Sequence, residues 1–100
     1  MKTLNELVQE LVPGYLAARK EEVGSMTCLL SASDFERLRV LSHSLKGSGS
    51  SFGFAELTRL GAELERHAES RDAVGFAQQL ARLKDYLEHL NSPPSTQTNA

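Results

Sequence analysis

The sequence predicts an all-α fold: an up-down-up-down four-helix bundle with a short N-terminal capping helix. Three observations lead there. The apolar set of this 100-residue chain is lopsided, with 16 Leu and 10 Ala against 5 Val and no Ile. Such a composition is rich in helix formers and poor in the β-branched residues that sheets favour. Apolar residues recur at spacings of three and four along most of the chain, the helical period. The breaks between these stripes are short, about two to five residues, as antiparallel bundle neighbours require.

Taken in order, Thr3 followed by Glu6 forms a capping-box pattern, and Leu4, Leu7, Val8 and Leu11 follow at helical spacing. The residue before a proline is pushed out of helical geometry, so this capping helix is expected to end near Pro13. Proline suits a first turn, so a second helix is expected to start there, with Tyr15, Leu16, Val23, Met26 and Leu30 as its stripe. After Ser31-Ala32-Ser33, a second capping box is read at Ser33 and Glu36, with Asp34 favouring the positive helix N-terminus. Phe35, Leu38, Leu41, Ser42, Leu45, Gly49 and Phe52 then share a face, which extends a third helix to Phe52 or stops it near Lys46. The doubt arises from Gly47-Ser48-Gly49-Ser50-Ser51, where each glycine costs roughly 1 kcal/mol relative to alanine. Gly53 is a good helix-ending residue.

Phe54, Leu57, Leu60, Leu64 and Ala68 define a fourth helix, in which Gly61 permits close approach. A turn at Ser70-Arg71-Asp72 follows, with Asp72 as cap. Phe76, Leu80, Leu83, Leu87 and Leu90 form the last seam. The predicted domain spans residues 1–91, and residues 92–100, rich in Ser, Pro, Thr and Gln, read as a disordered tail.

The charge balance is 11 basic against 13 acidic residues, a net −2 with a pI near 5.9. Such a balance argues against a nucleic-acid binder, which needs a basic excess to displace counterions. Cys28 is the only cysteine, so neither an intrachain disulfide nor a cysteine zinc cage can form. Among Leu29 and Leu30 it reads most simply as a buried small hydrophobe. Glu6 and Glu10 interrupt any signal-peptide pattern, and no apolar run approaches the roughly 20 residues that cross a bilayer. The expectation is a soluble, cytoplasmic monomer that binds neither membrane nor nucleic acid.

Of the three histidines, His43 is placed near the centre of the solvent face of its helix. Its wheel neighbours are Glu36, Arg39, Lys46, Gly47 and Ser50. Gly47 presents no side chain and Ser50 only a small one, so the imidazole stands over an open shelf with an ammonium beside it. A neutral imidazole can take a phosphoryl group on a ring nitrogen, and Lys46 could offset the charge of the transfer. Arg39, Gly47 and Ser50 are the candidate docking residues, and between Ser33 and Phe52 three basic residues against Asp34 and Glu36 leave a weak local +1 that would suit an acidic partner through steering. His67 and His89 lack both shelf and lysine and read as ordinary surface or boundary residues. No pair of histidines has metal-ligand spacing on a helix, and no phosphate-binding loop or hydrolase triad pattern is present.

His43-Ser44-Leu45-Lys46-Gly47, with Gly53 ten positions after the histidine and then Leu57, Leu60 and Leu64-Glu65, resembles the signature of histidine-containing phosphotransfer (HPt) domains. The similarity covers most of residues 13 to 90. It implies that His43 is the phosphorylated residue, that Lys46 stabilises phosphate charge, that Gly47 admits the partner, and that Gly53 ends the helix. It implies a phosphorelay intermediate that takes a phosphoryl group from a receiver-domain aspartate and passes it to another. The expected partners are receiver domains of response regulators and hybrid histidine kinases. No cofactor is expected on this chain, since the partner would bring the Mg²⁺. Such a protein is a phosphocarrier without ATP-dependent kinase activity. Two other readings stand beside it: a detached dimerising module of a histidine kinase, and a helical adaptor that docks on a receiver or kinase without transferring phosphate.

Overall fold

The capping box at the start of the chain forms. The Thr3 hydroxyl accepts from the Glu6 N–H at 3.1 Å, and the Glu6 carboxylate accepts from the Thr3 N–H at 2.8 Å. In the computed structural model, which describes residues 1–90, the helix it opens, α1, runs without interruption over Leu4–Ser31. The expected separate capping helix is therefore corrected: it is the first half of α1. Pro13 sits inside the helix on its exposed side. The carbonyl of Gln9, also an exposed residue, loses its helical donor there but stays open to water, so the break costs too little to end the helix. This half of α1 also covers less than expected, for Leu4 is 78% exposed and Leu11 60%.

Three further helices follow: α2 (Phe35–Gly49), α3 (Ala55–Glu69) and α4 (Ala73–Leu90), with a 3₁₀ turn at Ser50–Phe52 after α2. Among the described residues there is no strand. Each helix packs on two others in a ring, α1 against α2 and α4, and α3 against α2 and α4. The core inside the ring takes Met26 from α1, Leu38 and Leu45 from α2, Leu57 and Leu64 from α3, and Phe76 from α4, all essentially solvent-free. The last seam is buried from Phe76 to Leu87, while Leu90 is exposed. The predicted tail, residues 92–100, lies outside the described residues.

Two local expectations change. Asp34, not Ser33, caps α2, its carboxylate accepting from the Arg37 N–H at 3.2 Å. Ser33 is committed to ending α1: its φ is 56°, and the N–H groups of Ser33 and Asp34 return to Leu30 and Leu29. Arg71 plays the same part after α3, also at φ 56°. Side-chain-bearing residues in this left-handed region cost roughly 1 kcal/mol relative to glycine. Cys28, expected to be buried, is exposed. It lies two residues from the buried Met26, which places it about 200° around the helix on the outer side.

The glycine-serine stretch stays α-helical through Gly49 because α3 packs directly on its backbone. A Cβ at Gly49 would stand 2.6 Å from the Thr58 nitrogen, and one at Gly61 would stand 2.5 Å from the Lys46 nitrogen and 2.8 Å from its Cα. Thr58 stitches this contact, donating to the Lys46 carbonyl at 2.9 Å and accepting from the Ser50 N–H at 2.8 Å. Gly53 then closes the 3₁₀ turn at φ 89°, its N–H bonded to the Ser50 carbonyl. Gly61→Ala tests this close approach. Alanine would gain about 1 kcal/mol in helix propensity, but displacing a backbone costs about 3 kcal/mol, so the variant is expected to lose about 2 kcal/mol. A urea midpoint equal to or above wild type would show that the helices have room to spare.

Candidate functional site

The close approach at Gly61 determines what lies next to His43. Contacts between α2 and α3 run in opposite directions: Thr58 meets Lys46 and Ser50, and Gly61 meets Lys46. One turn beyond Gly61, Glu65 meets His43. The His43 side chain is 65% exposed, while the Glu65 carboxylate beneath it is only 12% exposed. His43 Nδ1 lies 2.9 Å from Glu65 Oε2, and Lys46 Nζ lies 2.7 Å from Glu65 Oε1. One carboxylate thus holds both the ring and the ammonium.

An ionised carboxylate only accepts hydrogen bonds, so the proton of this contact belongs to Nδ1. That assigns the neutral ring its Nδ1–H tautomer and leaves the lone pair on Nε2, which has no hydrogen-bond partner among the described residues. The ammonium of Lys46 first, and the bond from His43 second, hold the Glu65 carboxyl below its ordinary value against the opposing effect of burial. Because the folded-state value is depressed, the stabilisation is complete above the unfolded value near 4.5 and is lost as pH falls through the lower folded value. Wild type is therefore expected to be more stable than Glu65→Gln at neutral pH, with the gap closing at pH below about 4.5. Thermal melts of both proteins across that range check it; a gap independent of pH would remove the charge pairing from the account.

Of the residues expected at the site, His43, Lys46 and Gly47 come together as the sequence places them. A Cβ on Gly47 would meet no atom within 4 Å, so the fold has no need of a glycine there. Ser50 is exposed, but its hydroxyl is engaged with Thr58 at 3.0 Å and it opens the 3₁₀ turn. Arg39 lies one turn before His43 and is half-buried. Glu65 stands in the motif that carries the family resemblance, but the sequence assigns it no role at the site. Its place in that motif and its position as a charged residue buried next to Leu64, beside the apolar stripe of α3, were the signals for it.

Tyr15 braces the shelf from α1. Its hydroxyl pairs with Ser48 at 2.7 Å and its ring stacks on Phe52 with centroids 4.0 Å apart. The other two histidines are placed differently. His67 is largely buried and sets Nδ1 3.1 Å from Asp72 Oδ2, while the same carboxylate caps α4 by accepting from the Gly75 N–H at 2.9 Å. That N–H is the chief reason the Asp72 carboxyl is held below its ordinary value. His89 is exposed on the last turn of α4, and its bond to the Asp85 carbonyl, aided by the Asp85 charge, raises its pKa. Among the described residues, no three His, Cys, Asp or Glu side chains are grouped to hold a metal ion. No helix among them is long and apolar enough to cross a membrane.

A family model, that of the Hpt domain, matches residues 2–93 of the chain. No curated protein and no solved structure matches it.

Proposed function

The chain belongs to the Hpt domain family, whose members carry out histidine phosphotransfer in phosphorelays and work with receiver domains, and from that premise we propose that His43 is its phosphoacceptor. The observation that carries this is the shared carboxylate of Glu65, which orients an exposed imidazole and an ammonium together. The Nε2 lone pair attacks the phosphorus of a receiver's aspartyl phosphate, and the P–O bond to the aspartate breaks as its carboxylate leaves. The proton stays on Nδ1, so the phosphorylated ring is an imidazolium balanced by Glu65. In the onward step a second receiver's aspartate attacks phosphorus, the N–P bond breaks and its electron pair returns to Nε2. The partner brings the Mg²⁺ and the acidic cluster, and the phosphorylation of this chain needs no ATP site of its own.

Around the ring, Arg39, Gly47 and Ser50 form the docking surface, joined by Val40, a large apolar residue left 53% exposed one turn before His43. Short connections between the helices favour the up-down-up-down course for the whole bundle. We read the protein as a cytoplasmic monomer. The test is transfer from a panel of phosphorylated receiver domains: a label on the wild type that is acid-labile and maps to His43 is expected. No label from the panel, on folded protein, would favour the docking adaptor instead.

Lys46→Ala is expected to slow transfer about tenfold while leaving receiver affinity nearly unchanged, because the ammonium acts mainly on charge that gathers in the transition state. Single-turnover rates beside binding titrations separate the two. A rate equal to wild type would take the lysine out of the mechanism.

A further inference from the structure

The groove between α2 and α3 continues from His43 away from Gly47. At its far end Phe35, Glu36 and Arg39 of α2, Ala68 and Glu69 of α3, and Arg71 after it line an open cleft of about 230 Å³. Arg39 lies one turn from His43, and Glu69 one turn from Glu65, so the cleft and the phosphoacceptor site occupy one face.

Arg71 draws attention by its backbone. It ends α3 in the left-handed region, where glycine would sit without strain, yet the chain places an arginine there. Its guanidinium lies 5.0 Å above the Phe35 ring. The charge thus rests over the ring, and the guanidinium N–H groups make no hydrogen bond among the described residues. Arg39 likewise has no carboxylate within ion-pairing distance among those residues. Glu36 and Glu69 line the same cleft without pairing with either arginine.

We infer that Arg39 and Arg71 form a docking subsite for an acidic side chain of the receiver partner, an inference that rests on the phosphocarrier reading above. A guanidinium placed over an aromatic ring is weakly hydrated and held in place, which suits it to pair with a carboxylate at low entropic cost. A standard interface covers about 800 Å² per partner, roughly 30 Å across, so a receiver seated on His43 reaches a cleft one to two helical turns away. Glu36 and Glu69 repel an acidic group that arrives out of register, so the subsite selects among receivers as well as holding one.

The experiment compares Arg39→Gln, Arg71→Gly and the double variant with wild type, using whichever phosphorylated receiver labels wild type best. Each single change is expected to raise KM about fivefold, and the double about twentyfold, with kcat unchanged. The dependence of KM on salt should weaken in step. Arg71→Gly relieves backbone strain, so its melting temperature should match or exceed wild type, which separates lost docking from lost fold. KM values equal to wild type in all three variants would overturn the inference and leave Arg71 as a cover for Phe35. A fall in kcat at constant KM would also overturn it. A wild type that takes no label at all would overturn the phosphocarrier reading itself, and this inference with it.

Discussion

His43→Gln is expected to abolish phosphoryl labelling while leaving the fold intact. An amide has no nucleophilic lone pair on nitrogen, so the covalent intermediate cannot form. The side chain is mostly exposed, and glutamine can still donate to the Glu65 carboxylate, so no buried charge is orphaned. Stability should therefore stay within about 0.5 kcal/mol of wild type. Labelling by phosphorylated receivers, beside thermal melts of the same samples, reads both halves of this expectation. Residual acid-labile label on the variant would place the acceptor elsewhere. His67 is a poor substitute, since its side chain is only 13% exposed and its Nδ1 is already set against Asp72.

The second large effect is at Gly47. A side chain there starts in open space, because a Cβ at Gly47 meets no atom within 4 Å. Its bulk would instead stand one turn from His43, in the space through which a receiver must bring its aspartyl phosphate in line with Nε2. In-line transfer tolerates little displacement, and an error of about 1 Å can cost a hundredfold in rate. Gly47→Leu is accordingly expected to fold like wild type and to transfer at least about a hundredfold more slowly. Gly61→Ala is the counterpart: there a single methyl meets the Lys46 backbone, and stability is what should fall. Stopped-flow transfer and denaturant melts on both variants would separate the two glycines. Normal transfer by Gly47→Leu would mean that the receiver does not approach over this shelf.

Much of this was legible in advance for a local reason. The capping box at Thr3, the cap at Asp72 and the stripes of α2, α3 and α4 all depend on residues within one or two turns of each other. The same holds for His43, Lys46 and Gly47, since spacings of three and four put residues on one face whatever the rest of the chain does. Where the reading failed, a local rule met a competing one. By the local rule Pro13 ends a helix, but on an exposed face water can serve the carbonyl it leaves unpaired. Ser33 could not cap α2 because it was already turning the chain out of α1.

The sequence by itself determined that the chain is helical, where most of its helices begin and end, and which histidine stands beside a lysine and a glycine. Only the tertiary structure decided that Glu65, 22 residues from His43, supplies the carboxylate that sets its tautomer and holds Lys46 beside it. That contact depends on two backbones meeting at Gly49 and Gly61, where any Cβ would collide. Helical periodicity tells which face of α3 is apolar. It does not tell how closely that face approaches α2, and a hydrogen bond exists or fails within a few tenths of an ångström.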